Sequence, residues 1–492
     1  MGPLLYYSLL SLTFILTLKL LLQKINSKNL PPNPLITLPI IGNLHNINLP
    51  LHRSLHNLSQ KYGDIFTLWF GSRRVVVISS QTLLQQCLTN HDVVISNRPR
   101  FLVGKHFFYN YTSLDSVPYG DHSRNLRRVV TVDVLSTQRL NSFTETRRKE
   151  ALNLITKLAK DTCEGFTRVE LKTRLTNMTF EIMTRMVAGE ATEGKKFKDL
   201  INEMMPLLGA SNQGDFVPLI RLFDFKGVVK RMKDIGKRGD SFVQGIVDEI
   251  RSGKHGRGNN MVQHLLTLQK SQPEYYSDVI IKGLIQGMFL GGTDTSAVTL
   301  EWAISALLNN PHVLKKAKDE IDTQIGYDRL VDESDIPNLP YIQNIIYETL
   351  RLYSPAPLLL PRFSSDKFNI EGFTIPRDTI VLFNAWAIQR DPKIWSDASC
   401  FMPERFEKEG EAKKLIAFGF GRRICPGVGL AYRTMGLTLG LLIQCFEWER
   451  LTHEEVDMTE CKTGLVMEKH NPLETMCKAR PIIKKVIQEL NI

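Results

Sequence analysis

The sequence predicts a mainly α-helical protein with a small β-sheet region, behind a single N-terminal transmembrane helix. Residues 4–22 are almost wholly apolar, and about 20 apolar residues are needed to cross a bilayer. Residues 65–79 contain β-branched and aromatic runs around Gly71, which is typical of a hairpin. Residues 135–350 show mostly helical hydrophobic spacing. The 492 residues are 43% hydrophobic and 23% charged, as expected of a globular protein with a substantial core.

The N-terminal apolar run is better explained as an uncleaved anchor than as a cleaved signal peptide. No Lys or Arg precedes it, whereas Lys19, Lys24 and Lys28 lie at or beyond its far end. By the positive-inside rule, the body of the protein then lies in the cytosol. Closely spaced prolines after the run predict a stiff, extended segment. The predicted divisions are a membrane anchor (residues 1–24), a Pro-rich linker (residues 25–44) and one large folded domain (residues 45–492).

Charge and cysteine usage exclude several classes of protein. The net charge of +11 does not come from one basic block, and it suits solubility, an acidic partner or an anionic membrane surface. The chain has no recognised nucleic-acid-binding module and no zinc-spaced Cys/His cluster, so nucleic acid is not an expected partner. The seven cysteines are odd in number and scattered, which argues against a disulfide framework and for a reducing compartment.

The strongest local signal runs from Phe418 to Gly427 and reads F-x-x-G-x-R-x-C-x-G. Its three glycines and one proline argue against a regular helix or strand. Because residues 428–442 have helical spacing, Cys425 is predicted to lie just before a helix N-terminus, where backbone N–H groups favour an anion such as a thiolate. A buried structural cysteine is the usual alternative for a single Cys.

A second signal lies inside the apolar run of residues 280–308. Gly291 and Gly292 are adjacent, and glycine in a helix interior costs roughly 1 kcal/mol against alanine. Such a site can open or bend a helix. Asp294 and Thr295 follow, and they offer a carboxylate and a hydroxyl that can relay protons. The alternative is that Thr295 bonds back to a preceding carbonyl, which leaves the charge of Asp294 unexplained.

A third signal, the E-x-x-R pattern, is weak by itself. Glu348 and Arg351 stand three residues apart on a predicted helix and can pair. The segments 145–148 and 447–450 match the same pattern and look like ordinary charged faces. What distinguishes the pair at 348 is that Pro-Glu-Arg-Phe, residues 403–406, follows before the cysteine loop.

In this order, these elements resemble those of the haem-thiolate monooxygenases, the cytochromes P450. The resemblance runs from the anchor to the C-terminus and implies the cytochrome P450 fold. It implies a haem b whose iron takes Cys425 as its axial metal ligand. It also implies electrons from NADPH, delivered by an NADPH-cytochrome P450 reductase, and an endoplasmic reticulum membrane location with the catalytic domain on the cytosolic face.

The resemblance assigns cofactor-binding roles to individual residues. Arg423 and Arg127 would contact the haem propionates, and Phe418 would pack beneath the macrocycle. Arg362 would be a further propionate contact. Ser123 departs from the pattern, because plant members usually carry a Trp there whose N–H would also reach a propionate.

The resemblance also assigns catalytic and structural roles. Asp294 and Thr295 would deliver the protons that oxygen activation consumes. Glu348, Arg351 and Arg405 would form a buried cluster with a structural role.

Within the family, the chain resembles a plant microsomal subgroup that contains isoflavone 2'- and 3'-hydroxylases. The predicted substrate is therefore a small, flat phenolic molecule such as an isoflavone. The alternatives are another flavonoid, an indole or a terpenoid-type substrate, an isomerase or dehydratase that needs no dioxygen, and a haem protein without turnover. The aromatic-rich residues 98–120 either roof the substrate pocket or pack their own rings. The segments predicted to touch substrate are 98–118, 204–223, 287–292, 356–360 and 463–467.

Overall fold

The computed structural model describes residue 7 and residues 29–162, 165–189, 194–209, 212–217, 220, 224, 227–253 and 259–483. The predicted anchor, residues 4–22, lies outside the described residues except for Tyr7. Among the helices that are described, only Val428–Cys445 is long and apolar enough to cross a membrane, and most of it is buried in the protein core.

The fold is mainly helical, as the hydrophobic spacing predicts. The helices in the described ranges are α1 (Leu51–Tyr62), α2 (Gln81–His91), α3 (Leu102–His106), α4 (Asp121–Arg128), α5 (Thr137–Ser142), α6 (Thr144–Asp161), α7 (Lys172–Ala188), α8 (Gly194–Leu208), α9 (Val228–Arg251), α10 (Met261–Ser271), α11 (Asp278–Gly292), α12 (Asp294–Asn309), α13 (Pro311–Gln324), α14 (Pro340–Leu352), α15 (Ala385–Ile388) and α16 (Val428–Cys445). Short 3₁₀ or π-helical turns cover Leu44–Asn46, Val129–Val134, Gln213–Asp215, Glu333–Asn338, Pro403–Glu407, Glu411–Lys414 and Gly421–Arg423.

The strands form three small sheets. They are β1 (Ile65–Phe70), β2 (Arg73–Ile78), β3 (Thr167–Glu170), β4 (Arg362–Phe363), β5 (Phe368–Ile370), β6 (Phe373–Ile375), β7 (Ile380–Phe383), β8 (Phe446–Glu449) and β9 (Glu474–Ala479). The sheet orders are β1-β2-β7-β4, β3-β9-β8 and β5-β6. β2 and β7 pair in parallel, which joins the N-terminal hairpin to the region that precedes the cysteine loop.

The predicted hairpin is β1 and β2, which pair antiparallel from Ile65 with Ile78 to Phe70 with Arg73. Gly71 in the turn has a φ of +57°, a conformation that glycine adopts without strain. A Cβ there would lie 2.1 Å from the carbonyl oxygen of Phe216, so glycine also allows the turn to pack closely.

The described part of the predicted linker is docked on this hairpin. The Thr67 amide donates to the Pro32 carbonyl at 2.9 Å. The Asn43 amide donates to the Trp69 carbonyl at 2.6 Å, and the Asn43 side-chain oxygen accepts from the Trp69 amide. The described residues of the predicted Pro-rich linker therefore contact the folded body directly.

Pro206 lies in the last turn of α8, and the helix continues to Leu208. A proline has no N–H to donate to the preceding turn, so α8 lacks one hydrogen bond at this position.

The long apolar run of residues 280–308 forms two helices, α11 and α12, that meet at Thr293. Both helices belong to the largest hydrophobic core cluster, together with α7, α14 and α16. A Cβ at Gly292 would lie 2.4 Å from the Sδ atom of Met183 on α7. The glycine therefore allows α7 to pack directly against the junction of the two helices.

Candidate active site

The cysteine loop is a tight turn ahead of α16. The Cys425 amide donates to the Phe418 carbonyl at 2.8 Å, which closes the loop. The Phe418 ring packs on Tyr432 at a centroid distance of 5.2 Å. Gly421 has a φ of +59°, and a Cβ there would meet a carboxylate oxygen of Asp92 at 2.6 Å. Glycine is required at this point both for its backbone conformation and for space.

Cys425 keeps solvent-accessible surface although protein atoms surround it, so its thiol faces an internal cleft. Burial raises the pKa of the Cys425 thiol. The Gly427 N–H, which donates to Sγ at 3.3 Å, and the charge of Arg127 act in the opposite direction on that pKa. The predicted stabilisation of a Cys425 thiolate by the helix N-terminus is thus limited to the hydrogen bond from the Gly427 amide. A stable thiolate at Cys425 requires a further positive charge.

Arg423 connects the cysteine loop to residues 113–117. Its Nη1 and Nη2 atoms donate to the carbonyls of Leu114 at 3.1 Å and Val117 at 2.5 Å, and its Nε donates to the Ser96 carbonyl at 2.7 Å. Burial, the Arg362 charge and the Arg127 charge lower the pKa of Arg423 to about 10. The guanidinium of Arg423 thus uses three of its five N–H groups as donors to backbone carbonyls.

Two further arginines lie in the same cluster. Arg362 is buried, and it donates to Asp92 at 3.1 Å and to the Phe420 carbonyl at 2.6 Å. Arg98 donates through Nη1 to the carbonyls of residues 360 and 361, and its buried Nε has no partner among the described residues. Burial and the charges of Arg423 and Arg362 lower the pKa of Arg98 well below its usual range. An unpaired buried donor of this kind indicates that a ligand belongs there.

Charge in the cluster is unbalanced. Its members that influence one another's pKa are the guanidinium groups of Arg98, Arg127, Arg362 and Arg423 and the carboxylates of Asp92 and Asp115. Four cations against two anions leave an excess of positive charge, and Arg422, whose Nε lies 3.6 Å from Asp92, adds to it. The Arg127 side chain has no hydrogen-bond or ion-pair partner in the described part of the chain. An anionic ligand would therefore complete this cluster.

The junction of α11 and α12 places Asp294 and Thr295 on a helix that is otherwise buried. Gly291 at the end of α11 is exposed, and Gly292 and Thr295 are half-buried, so the junction of the two helices keeps accessible surface. The Thr295 hydroxyl donates to the Gly291 carbonyl at 2.8 Å. Thr295 is therefore bonded back to a preceding carbonyl, and its hydroxyl oxygen can still accept a hydrogen bond. Burial, together with the charge of Glu468, raises the pKa of Asp294 to about 6.

Residues 113–117 bridge the cysteine loop and the helix junction. Arg423 holds them on one side, and on the other they touch the glycines of α11. A Cβ at Gly283 would lie 2.7 Å from the Ser113 hydroxyl, and one at Gly287 would lie 3.1 Å from a carboxylate oxygen of Asp115. Cys425, the arginine cluster and α11 are therefore joined into one site.

Glu348, Arg351 and Arg405 come together next to this site. Glu348 accepts from Arg351 through Nε at 2.7 Å and Nη2 at 2.8 Å, and from Arg405 through Nε at 3.0 Å. Glu348 and Arg351 are both 0% exposed, whereas Glu145 of the other E-x-x-R segment is exposed. Arg351 also donates to three backbone carbonyls, at residues 389, 398 and 400, and so holds the segment that leads to the cysteine loop.

For the predicted substrate segment 204–223, a place in the core or facing the membrane is the alternative to substrate contact. Met204, Met205 and Phe216 are buried in the core, and the Phe216 ring packs edge-on against Phe70 beneath the sheet. Leu219 and Phe223 lie outside the described residues.

Known proteins resemble the chain along almost its whole length. The family model Cytochrome P450 matches residues 31–475. The chain belongs to the cytochrome P450 family. An isoflavone 3'-hydroxylase of Medicago truncatula is 58% identical over 98% of this chain and 99% of the relative. Isoflavone 2'-hydroxylases of Glycyrrhiza echinata and Medicago truncatula are 54% and 53% identical over 99% of this chain, and over 99% and 100% of the relatives.

This cytochrome P450 is a monooxygenase that uses haem iron and takes its electrons from NADPH through a reductase. The residues present fit the haem. The thiol of Cys425 faces a cleft, and the arginine cluster carries an excess of positive charge that the two haem propionates would neutralise in part.

Sequence reasoning missed Arg98 and Asp115 in this cytochrome P450. Arg98 stands between Asn97 and Pro99 in a loop without periodicity, and only the folded chain shows its unpaired Nε. Ser123 is buried and exchanges hydrogen bonds with the Gly120 backbone at 2.9 and 3.0 Å, so it caps the start of α4.

Proposed function

We propose that this cytochrome P450 hydroxylates an isoflavone at the 2' or 3' position. The support is the isoflavone hydroxylase activity for which the relatives are named; they are 53–58% identical over nearly the whole chain. At this identity both ring positions remain represented among the relatives, so the substrate class is proposed and the position is left to experiment.

Cys425 would hold the haem iron, and Arg127, Arg98 and Arg423 would hold the propionates. The observation that carries this assignment is the arginine cluster with its excess of positive charge beside an accessible thiol. Arg127 is the member without a partner in the described ranges, and it is therefore the first expected propionate contact. Arg362 is occupied by Asp92 and the backbone, and we assign it mainly to positioning the cysteine loop. Phe418 would pack beneath the haem.

When bound, the haem supplies the iron at which dioxygen is activated to oxidise a C–H bond of the substrate. Asp294 supplies protons for that reaction, because an acid whose pKa is about 6 exchanges its proton readily near neutral pH. The Thr295 hydroxyl donates its hydrogen bond to the Gly291 carbonyl, so its oxygen can accept a hydrogen bond and orient a donor in the cleft. Glu348, Arg351 and Arg405 hold the fold beneath the cysteine loop and take no part in the chemistry.

The remaining assignments concern location. Residues 1–24 would anchor the protein in the endoplasmic reticulum membrane, with the catalytic domain on the cytosolic face. An NADPH-cytochrome P450 reductase would be the electron donor. The described part of residues 25–44 is docked on β1, and we place the start of the catalytic domain near residue 29.

The test is turnover of an isoflavone panel by microsomes that carry the protein, with NADPH and a plant reductase. A product with one added hydroxyl, formed only with NADPH and dioxygen, is expected, and its ring position names the activity. Product formed without dioxygen would instead support the isomerase or dehydratase alternative. A Cys425→Ser variant should lose both the 450 nm carbon monoxide band and the activity. Haem binding without any isoflavone product would refute the substrate and leave the cofactor assignment intact.

A further inference from the structure

Asp294 is a buried acid whose carboxylate has no hydrogen-bond partner in the part of the chain that the structure describes. Three charged groups from three different elements face it. They are Lys172 at the start of α7, Lys198 on α8 and Glu468 on the loop before β9. The two lysines lower the pKa of Asp294 and Glu468 raises it, against the larger effect of burial.

The loop that carries Glu468 is fastened to α12 on both sides of that residue. The indole N–H of Trp302 donates to the Met467 carbonyl at 2.8 Å. The Leu473 amide donates to Oε1 of Glu301 at 2.8 Å. Because Glu301 and Asp294 are seven residues apart, they lie two turns apart on one face of α12. Glu468 is therefore held beside the face that carries Asp294.

Lys172 connects the same face to solvent. Its Nζ lies 2.7 Å from Oε2 of Glu468, and the two side chains are 29% and 28% exposed. The Leu171 amide, one residue earlier, donates to the Leu473 carbonyl at 3.0 Å, so the start of α7 is tied to the same loop. The Lys172–Glu468 ion pair thus has one side in solvent and the other against buried acids.

Glu301 is a second buried acid on the same face of α12. It is 0% exposed, and its Oε2 has no partner among the described residues. Lys172 and Lys469 both lower the pKa of Glu301, while burial raises it to about 7. Lys172 therefore faces both buried acids of α12. A fully buried, unpaired carboxylate oxygen indicates an ordered water at this point, because few such atoms remain unsatisfied.

We propose that the Lys172–Glu468 ion pair is the solvent end of the proton path to Asp294. The inference rests on the role of Asp294 proposed above. Hydroxylation takes up two protons and two electrons for each dioxygen, with one oxygen atom entering the substrate and the other leaving as water. Glu468 takes up protons from solvent on its exposed side and passes them inward to Asp294. The Lys172 ammonium, whose pKa is raised by its hydrogen bond to Glu468, stays charged and holds the Glu468 carboxylate in place.

The test compares four variants of the full-length, haem-loaded protein. Lys172→Met and Glu468→Gln break the ion pair, Lys172→Arg keeps it, and Lys198→Met is the matched control. Lys198 also faces Asp294, but its Nζ is hydrogen-bonded to Asn177 and lies outside the path. Far-UV circular dichroism and thermal melting confirm that each variant is folded.

The first readout is the infrared carboxyl band of Asp294, identified by its loss in Asp294→Asn and titrated with pH. It needs neither substrate nor turnover. Lys172→Met and Lys198→Met should both raise the pKa of Asp294, because each removes a cation, whereas Glu468→Gln should lower it. If neither Lys172→Met nor Glu468→Gln changes this pKa, the ion pair does not face Asp294 in solution and the proposal is wrong.

The second readout is dioxygen-dependent NADPH oxidation with the reductase in H₂O and D₂O, with and without an isoflavone. Lys172→Met and Glu468→Gln should slow it several-fold and raise the solvent isotope effect, and Lys172→Arg should restore the wild-type values. Lys198→Met should change neither. Equal slowing by Lys198→Met would show that the rate depends only on the number of charges near Asp294, and it would refute the proton path. Failure of every isoflavone to be hydroxylated would refute the proposed substrate alone, since NADPH oxidation is measured without it.

Discussion

Replacing Glu348 with glutamine tests whether one buried carboxylate holds the region beneath the cysteine loop. Glu348 accepts two hydrogen bonds from Arg351, one from Arg405 and one from the Met402 amide at 2.8 Å. A glutamine has one acceptor oxygen, and its NH₂ group would face guanidinium donors. The substitution leaves two buried or nearly buried arginine side chains without a counter-charge, since those of Arg351 and Arg405 are 0% and 6% exposed.

The expected loss is large on the scale of protein stability. Removing one partner of a buried ion pair typically costs about 3–5 kcal/mol, because the remaining charge stays buried and unpaired. A typical domain is stable by only about 5–15 kcal/mol. Glu348→Gln should therefore lower the free energy of unfolding by a fifth or more and reduce the yield of haem-loaded protein.

The assay is urea unfolding of the haem-loaded protein, followed by far-UV circular dichroism and by loss of the 450 nm carbon monoxide band. The matched control is Glu145→Gln, which breaks the same E-x-x-R pattern at an exposed site and should change stability by less than about 0.5 kcal/mol. The reasoning is refuted if Glu348→Gln shifts the unfolding midpoint no more than the control does.

Three further outcomes are expected. Gly292→Ala should destabilise the protein by about 1–3 kcal/mol, because the new methyl group meets Met183, whereas Gly245→Ala, in open space on α9, should be neutral or slightly stabilising in the same urea assay. Arg98→Leu should release haem to apomyoglobin faster than wild type does, because it removes a cation whose buried Nε is unpaired within the described chain; an unchanged rate would contradict its assignment to a propionate. Asp294→Asn should gain unfolding free energy relative to wild type as the pH rises from about 4 to 6, by up to about 3 kcal/mol, since the raised pKa of Asp294 means that its ionised form is the destabilising one. A gain that is the same at pH 4 and pH 7 would show that ionisation is not its cause.

The sequence alone determined the features that depend on local chemistry. The glycine and proline spacing around Cys425 predicts a tight loop in any context, and the structure shows one that closes on Phe418. The hairpin around Gly71 and the helical pattern of residues 135–350 follow from periodicities of two and 3.6 residues, which are local properties of the chain. The family itself followed from short motifs in a set order.

Tertiary structure decided everything that depends on which distant residues meet. Three segments share the E-x-x-R pattern, and only packing separates the fully buried Glu348 from the exposed Glu145. Arg98, in a loop without periodicity, became a cofactor-binding candidate only when the fold placed it beside Arg423, 325 positions later in the chain. The pKa of Asp294 likewise depends on burial and on Lys172 and Glu468, which no spacing along the sequence relates to it. Periodicity is a property of neighbouring residues, so the sequence alone determined the local elements. Burial and charge depend on the assembled core, so only the fold decided the chemistry of the residues in the motifs.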